Sequence, residues 1–232
     1  MDHAEGSKMP GDDRGPIVLG VAGGIGSGKS SVARAFGELG WVVVESDALA
    51  AAAMARPDVR QTLLSWWGPS ILGPTGEVDR KAVGRLVFTQ PDERRRLEAL
   101  IHPLIALGRR QAIEASRLNA GAWPTGIVYD APLLFEAGLD KECDAVVFVD
   151  APREERLRRV RESRGWDDAE LARREAAQGD LAQKKAACRF VINNAGDPRE
   201  LLDQAGRVAA ILLAERDRRS LSRPTDNRPS EG

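Results

Sequence analysis

The sequence predicts an α/β fold: a five-stranded parallel sheet flanked by helices, interrupted by a helical insertion and covered by an arginine-rich lid. Three observations predict it. Short apolar runs typical of buried parallel strands recur along the chain, helical patterns separate them, and a glycine-rich loop follows the first run. Such alternation wraps one sheet in helices and puts ligands at the carboxyl ends of the strands.

The strands are expected at Ile17 to Ala22, Trp41 to Val44, Gly126 to Tyr129, Ala145 to Val149 and Phe190 to Ile192. The run "SSVARAFGEL" supplies the first helix. From Asp47 to Trp123 the chain offers two to three helices and no convincing strand. Here "PDVRQTLLSWWG" and the long run from Asp79 to Ala115 are divided by the Gly/Pro-rich "GPSILGPTGE". Further on, Pro152 to Gln178 holds eight arginines. A charge run is often just a solvated helix face. The break "SRGWDD" favours a helix-turn-helix flap, since Gly165 stops one helix and Asp167 or Asp168 caps the next.

These elements divide the chain into a core (16–47 and 124–217), a helical insertion (48–123) and a lid (163–178). The polar ends 1–15 and 218–232 read as disordered tails. At 232 residues, 42% hydrophobic and 30% charged, one core with an insertion fits better than two independent domains. The net charge of −1 gives no global reason to expect nucleic acid or an acidic membrane. Cys143 and Cys188 lack the paired spacing of a zinc site and read as small core residues. No apolar run reaches the roughly 18 to 20 residues of a membrane span, and no signal-peptide pattern opens the chain, so the expected location is cytoplasmic.

Gly23, Gly28, Lys29 and Ser30 match G-x-x-x-x-G-K-[ST] between a strand and a helix, the context that gives this motif meaning. Glycines turn backbone N–H groups toward phosphate oxygens and the helix adds its positive end. Lys29 would reach the β and γ phosphates, and Ser30 would hold Mg²⁺. A GTPase should add N-K-x-D, which is absent, and a D-x-x-G switch, whose only later match, Asp203 to Gly206, lies in the final helix. A motor or transporter ATPase needs a longer core. A small-molecule kinase needs a carboxylate facing the acceptor hydroxyl, and Asp47 in "VVVESDALA" stands at a strand's carboxyl end. It reads as a base, as the N-cap of the following helix, or as both.

In that order, "AGGIGSGKS", "VVVESDA", "IHPLI" and "DAPLLFE" resemble the dephospho-CoA kinase family over about Ile17 to Leu213. The resemblance implies a P-loop NTPase-type sheet and ATP-dependent phosphorylation of the 3'-hydroxyl of the dephospho-CoA ribose. The products would be coenzyme A and ADP, in the last step of coenzyme A biosynthesis. It implies that Gly24, Ile25, Gly26, Ser27, Gly28, Lys29, Ser30 and Ser31 hold ATP, with Mg²⁺ at Ser30, and that Asp47 is the catalytic base. ATP and dephospho-CoA would be the only partners required.

The resemblance makes the insertion 48–123 an acceptor domain, to which His102 would belong, though a helix-end histidine before a proline reads equally well. Asp130 and Leu133, with Leu134 and Phe135, would wall the acceptor pocket, or "PLLF" simply packs the sheet. Asp130 would also influence Mg²⁺ through water. Arg164 and Arg174 best fit the family's lid arginines, with Arg156, Arg159 or Arg161 as substitutes. Arginine suits this work because its fork neutralises γ-phosphate oxygens. Asn194 in "FVINNAG" matches an asparagine of the adenine-side loop, or is a turn residue.

The chain departs from the family pattern at several points. Glu45, Ser46 and Asp47 stand where Asp-Ala-Asp is usual, and Ala51 replaces an arginine that Arg56 would have to supply. Cys188 and Arg189 replace an Ala-Asp pair, and Ala22 a threonine.

Overall fold

In the computed structural model, residues 16–120 and 124–221 are described. The expected tails 1–15 and 222–232 lie outside these residues. Five parallel strands form one sheet: β1 (Ile17–Gly23), β2 (Val42–Glu45), β3 (Gly126–Asp130), β4 (Ala145–Asp150) and β5 (Phe190–Asn193), in the order β2-β3-β1-β4-β5. All five expected strands are present, each within one or two residues of its expected bounds. β1 is central, and the chain leaves it toward β2 on one side and later returns toward β5 on the other. A crevice therefore opens at its carboxyl end. In the register, Asp130 faces both Val21 and Glu45, while Gly23 faces Val149 and Asn193 faces Asp150. One edge of the sheet thus gathers the chemistry.

One face of the sheet packs α1 (Lys29–Glu38) and α9 (Pro198–Leu221) through Val32, Phe36, Ala205 and Leu212 against Leu19, Val147 and Ile192. The Trp41 ring lies over Gly126, where an added Cβ would come within 2.4 Å of it. The other face buries Val44, Ile127, Leu134 and Phe148. At the β5 edge the Gln204 amide donates to the Asn193 carbonyl and accepts its N–H, both at 2.8 Å. The free end of that strand is thereby capped.

The insertion holds four α-helices, more than the two to three expected: α2 (Ser46–Ala55), α3 (Pro57–Trp67), α4 (Arg80–Thr89) and α5 (Pro91–Ala120). They close a small core of their own around Met54, Leu63, Ile71, Val83 and Leu97. α2 has no apolar period because it is mostly alanine, so propensity and not patterning forms it. The long second run divides at Pro91, which suits a first helical turn but not a helix interior.

The arginine-rich stretch forms α6 (Arg153–Arg164) and α7 (Asp168–Ala177), whose junction and second helix fill the expected lid of 163–178, and α8 (Leu181–Ala187) follows. α9 corrects the expected boundary at the chain's end. It continues past Leu213 through Leu221, so 218–221 is helix and not tail, because "AERDRRSL" consists mainly of good helix formers.

Candidate active site

Between β1 and α1 the chain must reverse, and two glycines allow it. Gly26 and Gly28 hold φ of +75° and +87°, the left-handed region that residues with a Cβ avoid. Space forbids a side chain as well: a Cβ on Gly28 would lie 2.1 Å from Asn194 Nδ2, and one on Gly26 2.7 Å from the Arg156 carbonyl. Around this loop Lys29 folds back, its Nζ donating to the carbonyls of Gly23 at 3.0 Å and Gly24 at 3.1 Å. Burial pulls the Lys29 pKa down to about 8. The Asp130 charge opposes that shift, Arg164 and Lys184 add to it, and Asp47 opposes it weakly. These four groups define the electrostatic surroundings of Lys29.

Asn194 is buried. Its Nδ2 donates to the Ser27 carbonyl at 2.8 Å, so its side chain grips the loop rather than standing open in a turn. Arg159 grips the same segment, donating from Nη1 to Ser27 O at 3.1 Å and from Nη2 to Asn194 O at 2.8 Å. Arg156 reaches Ile25 O at 3.4 Å and pairs with Glu175. Sequence reasoning grouped both arginines with the lid. Their three-residue spacing in the first turns of α6, facing the loop, is the signal that separates them from the lid tip. Lys184, 2.5 Å from Glu136, escaped notice altogether. Ser27 is fully buried and its Oγ has no partner, while Ser30 and Ser31 are exposed at the start of α1.

Asp47 is exposed in the first turn of α2. The N-cap is Glu45, which makes no side-chain cap bond, so the capping alternative for Asp47 is not realised. Beside it the Ser46 Oγ is buried and unpartnered. Asp130 is buried at the end of β3, in register with Glu45. "PLLF" divides: Leu134 and Phe135 pack on the sheet while Leu133 is 40% exposed. His102 is exposed on α5 and is not among the groups acting on Lys29.

Arg56, five residues past Ala51, makes two hydrogen bonds to Asp58, at 3.1 and 2.9 Å. Ala22 is buried in the sheet, and Arg189 pairs with Glu215 of α9 at 2.7 Å. Burial raises the Cys143 and Cys188 thiols to about 12 and about 11, as befits inert packing residues.

In the lid, Gly165 ends α6 at φ +69°, and the Asp167 carboxylate accepts from Glu170 N at 2.8 Å to start α7. At its tip the guanidiniums of Arg164 and Arg174 lie 4.8 and 4.1 Å from the Trp166 ring. Arg174 also bonds Glu170 at 2.6 Å. Arg173 stacks on Phe88 of α4 at 4.8 Å, joining lid to insertion.

A glycine loop running from a central parallel strand into a helix, a half-buried lysine opening that helix, and an arginine-rich helical pair whose base grips the loop define the class of P-loop kinases. The dephospho-CoA kinase family model matches residues 17–200. Dephospho-CoA kinase of Anaeromyxobacter dehalogenans is 42% identical over 212 residues, covering 89% of this chain and 97% of the relative. That of Geobacter metallireducens is 41% identical over 186 residues, covering 79% and 90%. A Thermus thermophilus protein of solved structure superposes with a TM-score of 0.72 at 36% identity, covering 87% of this chain and 98% of that one. The chain belongs to the dephospho-CoA kinase family, which uses ATP and catalyses the final step of coenzyme A biosynthesis. Among the described residues no helix is long and apolar enough to cross a membrane.

Proposed function

We propose that this chain transfers the γ-phosphoryl group of ATP to the 3'-hydroxyl of the dephospho-CoA ribose, with Asp47 receiving the hydroxyl proton. The observation that supports it is the setting of Lys29: a half-buried cation folded back on the loop carbonyls and acted on by Arg164 and Lys184 and by the carboxylates of Asp130 and Asp47. Triphosphate would lie on the loop N–H groups from Gly24 to Ser31, and Lys29 would exchange its bonds to the Gly23 and Gly24 carbonyls for phosphate oxygens. Asn194 serves nucleotide binding by holding Ser27 in place. Arg164 and Arg174 cover the transferred group, as an in-line displacement with spreading charge requires. Asp47, exposed at the mouth of the crevice, is the carboxylate free to meet an acceptor.

Magnesium fits as a companion of ATP. Among the described residues no three His, Cys, Asp or Glu side chains form a cluster of their own, whereas Ser30 offers an exposed hydroxyl beside Lys29 and Asp130 a nearby carboxylate. When bound, the ion neutralises phosphate charge.

Residues 48–123 act as the acceptor domain, from which His102 faces dephospho-CoA while Leu133 faces it from the core, and residues 163–178 act as the lid on the core of 16–47 and 124–217. The reading places the enzyme in the cytoplasm and requires no protein partner. Mass spectrometry of the protein with Mg·ATP and dephospho-CoA should find a product heavier by one phosphoryl group that is absent with Lys29→Ala. Binding of ATP without that product would overturn the acceptor assignment.

A further inference from the structure

Trp166 has no place in the phosphoryl transfer just described, yet two lid arginines meet on its ring. Local backbone geometry fixes where that ring stands. Gly165, left-handed, donates its N–H to Arg161 O at 3.0 Å, and Trp166 donates its N–H to Val160 O at 3.4 Å. This paired closure of a helix end sets the residue after the glycine in one position. Asp167 then starts α7 at once, and nearly two turns along that helix Arg174 returns to the same ring. Val160 and Leu171 are buried, and Val160 lies against the glycine loop at Gly26, so these positions are packed without Trp166 being fully buried itself.

Arg164 and Arg174 carry like charge and come from different helices. The electron-rich face of an indole attracts both guanidiniums and offsets their repulsion. Glu170 holds Arg174, and shares itself with Arg173 at 2.8 Å, but no carboxylate is bonded to Arg164 among the described residues.

We propose that Trp166 is a positioning residue for the reaction. Its ring keeps the Arg164 and Arg174 guanidiniums together as one unit that is delivered to the phosphates when the lid closes. The proposal rests on the kinase reading above and deepens it. Without the ring the two arginines would arrive independently, and each closure would less often present both.

The test compares Trp166→Phe, which keeps an aromatic face, with Trp166→Leu, which keeps apolar bulk alone. The expected result is kcat within about threefold of wild type for Phe and roughly tenfold lower for Leu, with unchanged ATP affinity and melting temperature. In the Leu background, Arg174→Ala should cost less than it does in wild type, because the pairing is already lost. Equal kcat in the Phe and Leu variants, or an Arg174→Ala cost unaffected by the Leu change, would overturn the proposal. A separate readout needs no acceptor: indole emission from Trp166, taken as wild type minus Trp166→Phe, should change on adding Mg·ATP as the two guanidiniums held on the ring engage the phosphates. Unchanged emission would overturn the proposal. A wild-type protein that makes no coenzyme A but shows the emission change would overturn only the acceptor assignment.

Discussion

The glycine loop and Asp47 both stand at carboxyl ends of strands in one sheet, but the surrounding structure treats them differently. Carbonyls of the loop accept from Asn194, Arg159, Arg156 and Lys29, so nearly every turn of its backbone is held from outside. Asp47 is exposed at the start of an alanine helix that belongs to the insertion's core as much as to the sheet. The lid shows the same division within one helix: at the base of α6 Arg156 and Arg159 grip the loop, and at its tip Arg164 touches an indole. The donor side is preformed, and the acceptor side is left free to assemble around its ligand. Preorganised donors need no rearrangement when charge develops, whereas an open mouth is required for substrate to enter.

Breaking the acceptor side alone should have the largest effect on turnover. Asp47→Asn should lower kcat by roughly 10² to 10⁴ while ATP affinity stays near wild type, as titration calorimetry beside initial rates would show. Wild-type turnover would remove Asp47 from the mechanism. Gly28→Ala attacks the donor side, by forcing Asn194 off Ser27 and straining a left-handed residue. ATP affinity should fall by about 10- to 100-fold, the range expected when a buried hydrogen bond is lost. Unchanged affinity would mean that the clamp is dispensable.

Protons sharpen the contrast. With its pKa near 8, Lys29 in the folded chain has lost a proton that the unfolded chain keeps up to the ordinary lysine value of about 10.4. Between those values the unfolded state binds more protons, so the ligand-free protein should gain stability as pH rises. A bound triphosphate favours the charged lysine again, so ATP binding at about pH 8.5 should take up protons. Calorimetry in buffers of different ionisation enthalpy would detect this, and Lys29→Met should abolish it. Uptake that persists in the Met variant would assign the proton elsewhere. The smallest effect belongs to Phe88→Ala, which separates lid from insertion. One exposed cation–π contact predicts a two- to fivefold rise in the KM for dephospho-CoA and no change in ATP affinity. A larger change in ATP affinity than in that KM would place Phe88 on the donor side.

Strands, loop and lid turn were legible because each has a local cause: apolar runs, glycine spacing, and a Gly165–Asp167 stop and start. What stayed hidden depends on long-range approach. Asn194 reads as a turn residue until the sheet brings it under Ser27, and Lys184 carries no signal until its helix reaches Lys29. Alanine-rich α2 hides because helix propensity leaves no periodic trace. The tail boundary was misplaced where a mostly polar helix end carries no apolar stripe to read.

Asn194 and Ser27 are separated by 167 positions, and β1 finds both of its neighbours only beyond Gly126. The loop, made before the strands that flank β1, is therefore among the last parts of the domain to be completed. Contacts so distant in sequence make for slow folding. They also mean that a chain halted before its fifth strand carries the whole phosphate motif, and Arg156 and Arg159 beside it, without the Asn194 side chain that holds Ser27. Nucleotide binding thus reports on completed synthesis: a fragment ending ahead of Asn194 should present the motif to proteases and not to ATP.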